Sequence, residues 1–125
     1  MIVYCCMDLF FSSKIKAQAK ASGIVSRPAR DAQALRERLD QVDDGKAHDP
    51  VTGIAVDLDL GQTAMELIRL AKSHPGAPLV AAFGPHGQTA LLTEAAESGA
   101  DFVLPRSAFT ANLATVLQRL NGTTG

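Results

Sequence analysis

Apolar and polar positions fall in alternating blocks along this chain, and the blocks read as strand, helix, strand, helix from one end to the other. Met1-Ile2-Val3-Tyr4-Cys5-Cys6 is an unbroken apolar run, the signature of a strand buried on both faces. Leu9 to Ser22 has helical spacing, with Phe11, Ile15 and Ala19 four apart and Gly23 placed to end it. Phe10 and Phe11 are adjacent on that helix, so one is expected inward and the other as an exposed apolar contact. Ile24-Val25-Ser26-Arg27 reads as a short second strand broken by Pro28. Asp31 then caps a helix carrying Leu35, Leu39 and Val42 on one stripe. Residues 43–50, with His48 and Asp49, read as a polar loop and the least ordered segment.

The central run is Gly53-Ile54-Ala55-Val56-Asp57-Leu58-Asp59-Leu60-Gly61: three apolar residues without alternation, then two carboxylates. A helix follows over Thr63 to Ser73, with Leu67, Ile68 and Ala71 inward. Pro75 and Pro78 bracket the turn into a fourth strand, Leu79 to Phe83, and Gly84-Pro85-His86-Gly87 reads as a loop. Thr89 to Ser98 is helical, Gly99 ends it, and Phe102-Val103-Leu104 forms a fifth strand. Ser107 is placed to cap one last helix, where Phe109, Leu113, Val116, Leu117 and Leu120 make the clearest amphipathic stripe of the chain. The tail, residues 121–125, is expected to fray.

Five βα units with short connections predict an α/β fold. The expected sheet is single, doubly wound, parallel and five-stranded, in the flavodoxin-like order 2-1-3-4-5, with helices on both faces. The 125 residues suit one domain over residues 1–120. A hydrophobic fraction of 46% is enough for a core. The formal net charge of −1 gives no electrostatic case for nucleic acid or an anionic membrane. No apolar run approaches the roughly 20 residues that span a bilayer. The first residues lack the basic start of a signal peptide, so a cytoplasmic location is expected. Cys5 and Cys6 are strand neighbours pointing to opposite faces and read as two free thiols.

Ligands of open α/β sheets sit beyond the carboxyl ends of the strands, which makes Asp57 the first functional candidate. Val56-Asp57-Leu58-Asp59-Leu60-Gly61, and Glu94-Ala95-Ala96-Glu97-Ser98-Gly99-Ala100-Asp101-Phe102-Val103-Leu104, resemble two segments of response-regulator receiver domains, of the kind typified by the chemotaxis regulator. The resemblance covers residues 1–120 and implies a module of two-component signal transduction. In that family the aspartate after the third strand, here Asp57, accepts a phosphoryl group. An acidic pair after the first strand holds Mg²⁺, and a Thr or Ser after the fourth and a Lys after the fifth contact the phosphoryl oxygens. Positioning and charge neutralisation carry such a transfer, and Mg²⁺ takes oxygen ligands.

This chain departs from that pattern at each supporting position. The acidic pair falls on Cys6 and Met7, whose sulfurs are poor Mg²⁺ ligands, with Asp8 one residue further. The hydroxyl position falls on Phe83 or Gly84. The Lys-Pro pair becomes Pro105-Arg106, and a guanidinium one residue later is no equivalent of an ammonium. The resemblance therefore implies a pseudo-receiver: not an enzyme, acting through a protein partner or self-association over residues 89–120, without cofactor. Mg²⁺ enters only if Asp8 and Asp57 form a site.

Two further readings stay open. One is an atypical phospho-acceptor using Asp57 with Asp8 and Arg106. The other is a small phosphatase resembling the haloacid-dehalogenase type, with Asp57 as nucleophile, Asp59 as acid/base and Lys72 the sole downstream lysine. Arg106 has two expected roles: with Ser107 it would bind an anion at a helix N-terminus, or it would pair with Asp57 or Asp59. His86 reads as a loop side chain near the same sheet edge.

Overall fold

The computed structural model describes residues 1–40, 42, 43, 46, 47, 50–85 and 87–122. Five parallel strands form one sheet: β1 (Ile2–Cys5), β2 (Ser26–Pro28), and, after a small antiparallel ribbon of β3 (Val42–Asp43) with β4 (Lys46–Ala47), β5 (Gly53–Asp57), β6 (Leu79–Gly84) and β7 (Phe102–Pro105). Their spatial order is β2-β1-β5-β6-β7. With the ribbon set aside this is the flavodoxin-like order 2-1-3-4-5, which places β5 at the centre.

The apolar runs of β1, β5 and β6 have no polar alternation because both of their faces are covered. Val3, Cys5, Ile54, Val56, Val80 and Ala82 pack into one core with α2 (Ala32–Leu39), α3 (Gln62–Ser73) and α4 (Thr89–Glu97). Ile2, Tyr4, Cys6, Ala55, Ala81 and Phe83 pack into the other with α1 (Leu9–Ala21), α5 (Arg106–Ala111) and α6 (Leu113–Leu120). Cys5 and Cys6 therefore belong to different cores, and both are free thiols. Phe11 is buried while Phe10 is exposed. Gly53 starts β5 where α6 ends. A Cβ there would come within 2.4 Å of the Leu120 carbonyl oxygen, so only glycine lets strand and helix meet.

Several boundaries differ from the sequence reading, each for a local reason. The second strand is shifted to Ser26–Pro28, and Pro28 lies inside it. Among the described residues β2 is an edge strand with no ladder partner on its outer side, so the missing N–H breaks no ladder bond there. Val42 leaves the stripe of Leu35 and Leu39: α2 stops at Leu39, and Val42 pairs with Ala47 in the ribbon. The expected loop over residues 43–50 thus contains strand pairing, while His48 and Asp49 lie outside the described residues. Gly84 is the last residue of β6 rather than a loop residue.

The final helix is two. Ser107 sits inside the first turn of α5 and does not cap it, since Pro105 already holds the extended position before Arg106. Asn112 divides α5 from α6; its side-chain amide donates to the Ala108 carbonyl, a local bond that competes with the helical ladder. The stripe survives the break, with Phe109, Leu113, Leu117 and Leu120 all buried. Of the tail, Asn121 and Gly122 form a turn, and residues 123–125 lie outside the described residues.

Candidate functional site

Asp57 ends the central strand at the carboxyl edge of the sheet and is 2% exposed, the one buried charged side chain among the described residues. An isolated carboxylate in such a position is costly, so its partners decide what it does. Its Oδ1 accepts from the Asp59 backbone N–H at 2.9 Å and from Arg106 Nη2 at 2.9 Å. Its Oδ2 accepts from the Cys6 thiol at 3.2 Å and from Arg106 Nη1 at 3.5 Å. An ionised carboxylate offers about four acceptor directions, and protein donors occupy all of them here.

Three elements bring these donors together. The Asp59 N–H arrives because residues 58–60 turn immediately into a 3-10 helix, which Asp57 caps. Cys6 follows β1, the neighbour of β5 in the sheet. Arg106 opens α5 directly after β7, 49 residues from Asp57 in sequence. Its Nη2 donates to Asp59 Oδ2 as well, at 2.7 Å, so one guanidinium bridges both carboxylates. Of its two expected roles the structure therefore shows the ion pair.

The guanidinium carbon lies 5.0 Å from the Phe11 ring centroid and 5.3 Å from that of Phe83, within cation–π range. Phe83 is opposite Asp57 in the sheet register and fully buried. It stacks on Phe109 at 4.2 Å and on Phe11 at 4.9 Å. Gly84, the other residue aligned with the receiver hydroxyl position, lies against the Leu58 side chain. A stack of three rings thus fills one side of the site and holds the guanidinium over it.

The electrostatics follow from burial and from these contacts. Burial opposes the charge on Arg106, but the Asp57 hydrogen bond and the charges of Asp57 and Asp59 outweigh it and raise its pKa. Burial, then the hydrogen bond to Asp57, push the Cys6 thiol up to about 11. Burial pushes Cys5 up to about 12. Both are protonated near neutral pH, and Cys6 acts as a donor toward Asp57 rather than as a nucleophile or metal ligand.

A divalent cation does not fit this donor set. The side chains after β1 are a protonated thiol and the exposed thioether of Met7, and the Asp57 oxygens are already paired with a cation. Asp8 does not turn toward Asp57: its Oδ1 caps α1, accepting from the N–H groups of Phe10 and Phe11 at 2.9 and 3.2 Å. Among the described residues, no group of three or more His, Cys, Asp or Glu side chains stands close enough to hold a metal ion.

The partners that a phosphatase would need are not gathered either. Lys72 donates to Asp101 at 2.9 Å and to the Pro78 carbonyl at 3.0 Å, by the first residues of β6, the end of the sheet away from Asp57. His86 lies outside the described residues. The Cys6–Asp57 bond and the aromatic stack are not legible in the sequence. Their one signal there is a phenylalanine, Phe83, at the position that a hydroxyl holds in receivers.

No protein-family model matches the sequence, and no curated protein matches it. Solved structures do. A response regulator from Thermotoga maritima aligns over 98% of this chain and 97% of its own, with a TM-score of 0.73 at 14% identity. The phosphorylated phytochrome response regulator of a cyanobacterium aligns over 99% of this chain and 94% of its own, with a TM-score of 0.76 at 15% identity. A response regulator from Burkholderia pseudomallei, solved with a phosphorylated aspartic acid, a calcium ion and citrate, aligns over 95% of this chain and 65% of its own, with a TM-score of 0.71 at 20% identity. At such identities the likeness is one of fold. With five parallel strands in the order 2-1-3-4-5, an aspartate ending the third of them in sequence and helices on both faces, this chain has the response-regulator receiver fold.

Proposed function

We propose that this chain is a non-enzymatic signalling module of the receiver fold that acts through a protein partner, its aspartate site held in one state by its own arginine. The observation that carries the reading is the bridge from Arg106 to Asp57 and Asp59. In the solved regulators named above, the aspartate is phosphorylated in one and the protein is described as phosphorylated in another. Here a guanidinium supplies the positive charge beside the acceptor carboxylate, and thiol and thioether groups take the place of the acidic pair. A phosphoryl donor would meet a carboxylate whose lone pairs are already engaged, beside a guanidinium already shared between Asp57 and Asp59.

The test is to record amide NMR spectra of ¹⁵N-labelled protein with Mg²⁺ and beryllofluoride, and with Mg²⁺ and acetyl phosphate. The expected result is unchanged spectra in both. Saturable shifts at Asp57, Asp59 and Arg106 that vanish in Asp57→Asn would establish a working phospho-acceptor and end the locked-site reading.

A further inference from the structure

Tyr4 carries a polar group that the fold leaves without a partner. The residue is 7% exposed and belongs to the core that α1, α5 and α6 cover. No described residue hydrogen-bonds its hydroxyl. A buried hydroxyl in that position calls for an explanation, and a ligand is one. Burial raises its pKa, while the charges that act on it, those of Arg27 and Arg38, pull the other way. The hydroxyl is therefore a protonated donor near neutral pH, and it stands in a positive potential. It lines a cleft of about 240 Å³ between the start of α1 and the turn from β2 into α2.

Met7 and Leu9 line the cleft from the α1 side, Pro28 and Arg30 from the β2 side. An engineered cavity of roughly 150 Å³ holds a benzene, and drug-sized sites begin at roughly 300 Å³. The space therefore suits one ring with one polar group. Arg30 is exposed, and no ion pair or hydrogen bond among the described residues engages its guanidinium. The carboxylates nearby in the chain are held by backbone. Asp8 is exposed between Met7 and Leu9, and its Oδ1 caps α1. Asp31 follows Arg30, and its Oδ1 caps α2 by accepting from the Ala34 N–H at 2.8 Å. Neither is among the charges that act on the Tyr4 hydroxyl.

We infer that this cleft binds a small organic carboxylate, its apolar ring against Met7, Leu9 and Pro28 and its carboxylate on the Tyr4 hydroxyl and Arg30. A charged acceptor matches both donors, and hydrogen bonds to an ionised group are the stronger kind. A cation would meet the field of three arginines, and a bare phosphate would leave the apolar walls uncovered. The site is separate from the Asp57–Arg106 pair and does not depend on whether Asp57 accepts a phosphoryl group. Cys6 touches both places, since it lines the cleft and its thiol donates to Asp57 at 3.2 Å.

The test titrates the ¹⁵N-labelled full chain with sodium benzoate at pH 7, with benzamide, benzylamine and inorganic phosphate in parallel. Saturable amide shifts at Tyr4, Cys6, Met7, Leu9 and Arg30 are expected with benzoate, with a Kd on the order of 1 mM for so small a ligand. The other three should each bind at least about tenfold more weakly, since each lacks the negative charge or the ring. Tyr4→Phe keeps the ring in the core, removes only the hydroxyl, and should weaken benzoate about tenfold. Its unfolding temperature should not fall, because the hydroxyl has no partner in the fold to lose. Arg30→Gln changes an exposed side chain, should leave the fold intact, and should weaken benzoate by about threefold to tenfold. Absent or unsaturable shifts overturn the assignment. So do equal binding of benzamide or phosphate, full affinity in both variants, or shifts centred instead on Arg106 or on Phe102 and Arg119. A beryllofluoride response lost in Asp57→Asn would end the locked-site reading and leave the benzoate result standing.

Discussion

At the carboxyl end of the sheet Asp57 is held by Arg106, and near the amino end of β6 Asp101 is held by Lys72. The chemical pair is the same and the surroundings are not. Asp57 is buried, its four acceptor directions are filled by four donors, and its cation lies on aromatic rings. Asp101 and Lys72 are each about a quarter to a third exposed. Asp101 also accepts from the Val80 N–H through Oδ2 at 2.8 Å, and its own N–H donates to the Val80 carbonyl at 2.8 Å. The Lys72–Asp101 pair therefore ties the start of β7 to β6 and holds the architecture together, whereas the Arg106 pair occupies the place where this fold binds ligands. Of the two segments that resemble receivers, Val56 to Gly61 forms the site itself and Glu94 to Leu104 runs from the architectural end up to the level of Asp57, while the departures from the receiver pattern cluster around the site.

The largest expected effect separates the two pairs directly. Arg106→Ala leaves a buried carboxylate without its cation and should cost about 3 kcal/mol, whereas Lys72→Ala removes a partly solvated pair and should cost under about 1 kcal/mol. Urea unfolding of both variants at pH 7 checks this, and equal losses would break the comparison. Backbone shape should dominate at the amino end instead. Gly99 has φ 116° and lies where a Cβ would meet the Lys72 side chain at 2.9 Å. Gly99→Ala should therefore cost about 2 kcal/mol, and more than Lys72→Ala. Recovering all of that loss in the Gly99→Ala, Lys72→Ala double variant would show that side-chain crowding alone was responsible, and not the left-handed backbone.

A smaller effect should be confined to the site end and to alkaline pH. The folded pKa of Cys6 is raised from 9.0 to about 11, so the folded protein holds this proton more tightly than the unfolded chain does. The resulting stability is complete below pH 9 and declines as pH rises through about 11, by about 1 kcal/mol at pH 10 for this one group. Chemical unfolding from pH 7 to 10 should show the decline, and Cys6→Ala should remove its share while leaving that of Cys5. At pH 8 both thiols should react with iodoacetamide more slowly than a free cysteine; rapid alkylation of Cys6 would contradict its role as a donor to Asp57. The smallest effect is expected for Phe10→Ala, within about 0.5 kcal/mol in unfolding, since that side chain packs on nothing the fold needs.

Much of the fold is legible along the chain because burial on two faces leaves an unmistakable apolar run. Ile2 to Cys5, Ile54 to Val56 and Val80 to Phe83 all read as strands from residue type alone, and Phe11, Ile15 and Ala19 read as one helix face. What does not show is whatever neighbours in space decide. Pro28 is tolerated because β2 is an edge, Val42 leaves its helix to pair with Ala47, and Asn112 breaks a stripe whose apolar spacing runs straight across it. At the site, the sequence places Asp57 and names Arg106 as an expected partner, yet Asp8 is also in reach by counting. The distinction comes from direction: the Asp8 carboxylate is taken up by the N–H groups of its own helix, and Arg106 turns inward over Phe11 and Phe83.

The sequence by itself therefore determined the alternation of strands and helices and the strand that ends in Asp57, and the resemblance to receivers added the expectation that the acidic, hydroxyl and lysine partners are replaced around it. Those are matters of residue type and local period, which a linear chain carries in full. The tertiary structure alone decided that one guanidinium would bridge Asp57 and Asp59, that the Cys6 thiol would complete the shell, and that Met7, Leu9 and Phe10 would be left together on the surface. Each depends on groups brought together by strand order and helix packing. Arg106 lies 49 residues from Asp57 in the chain and 2.9 Å from it in the fold.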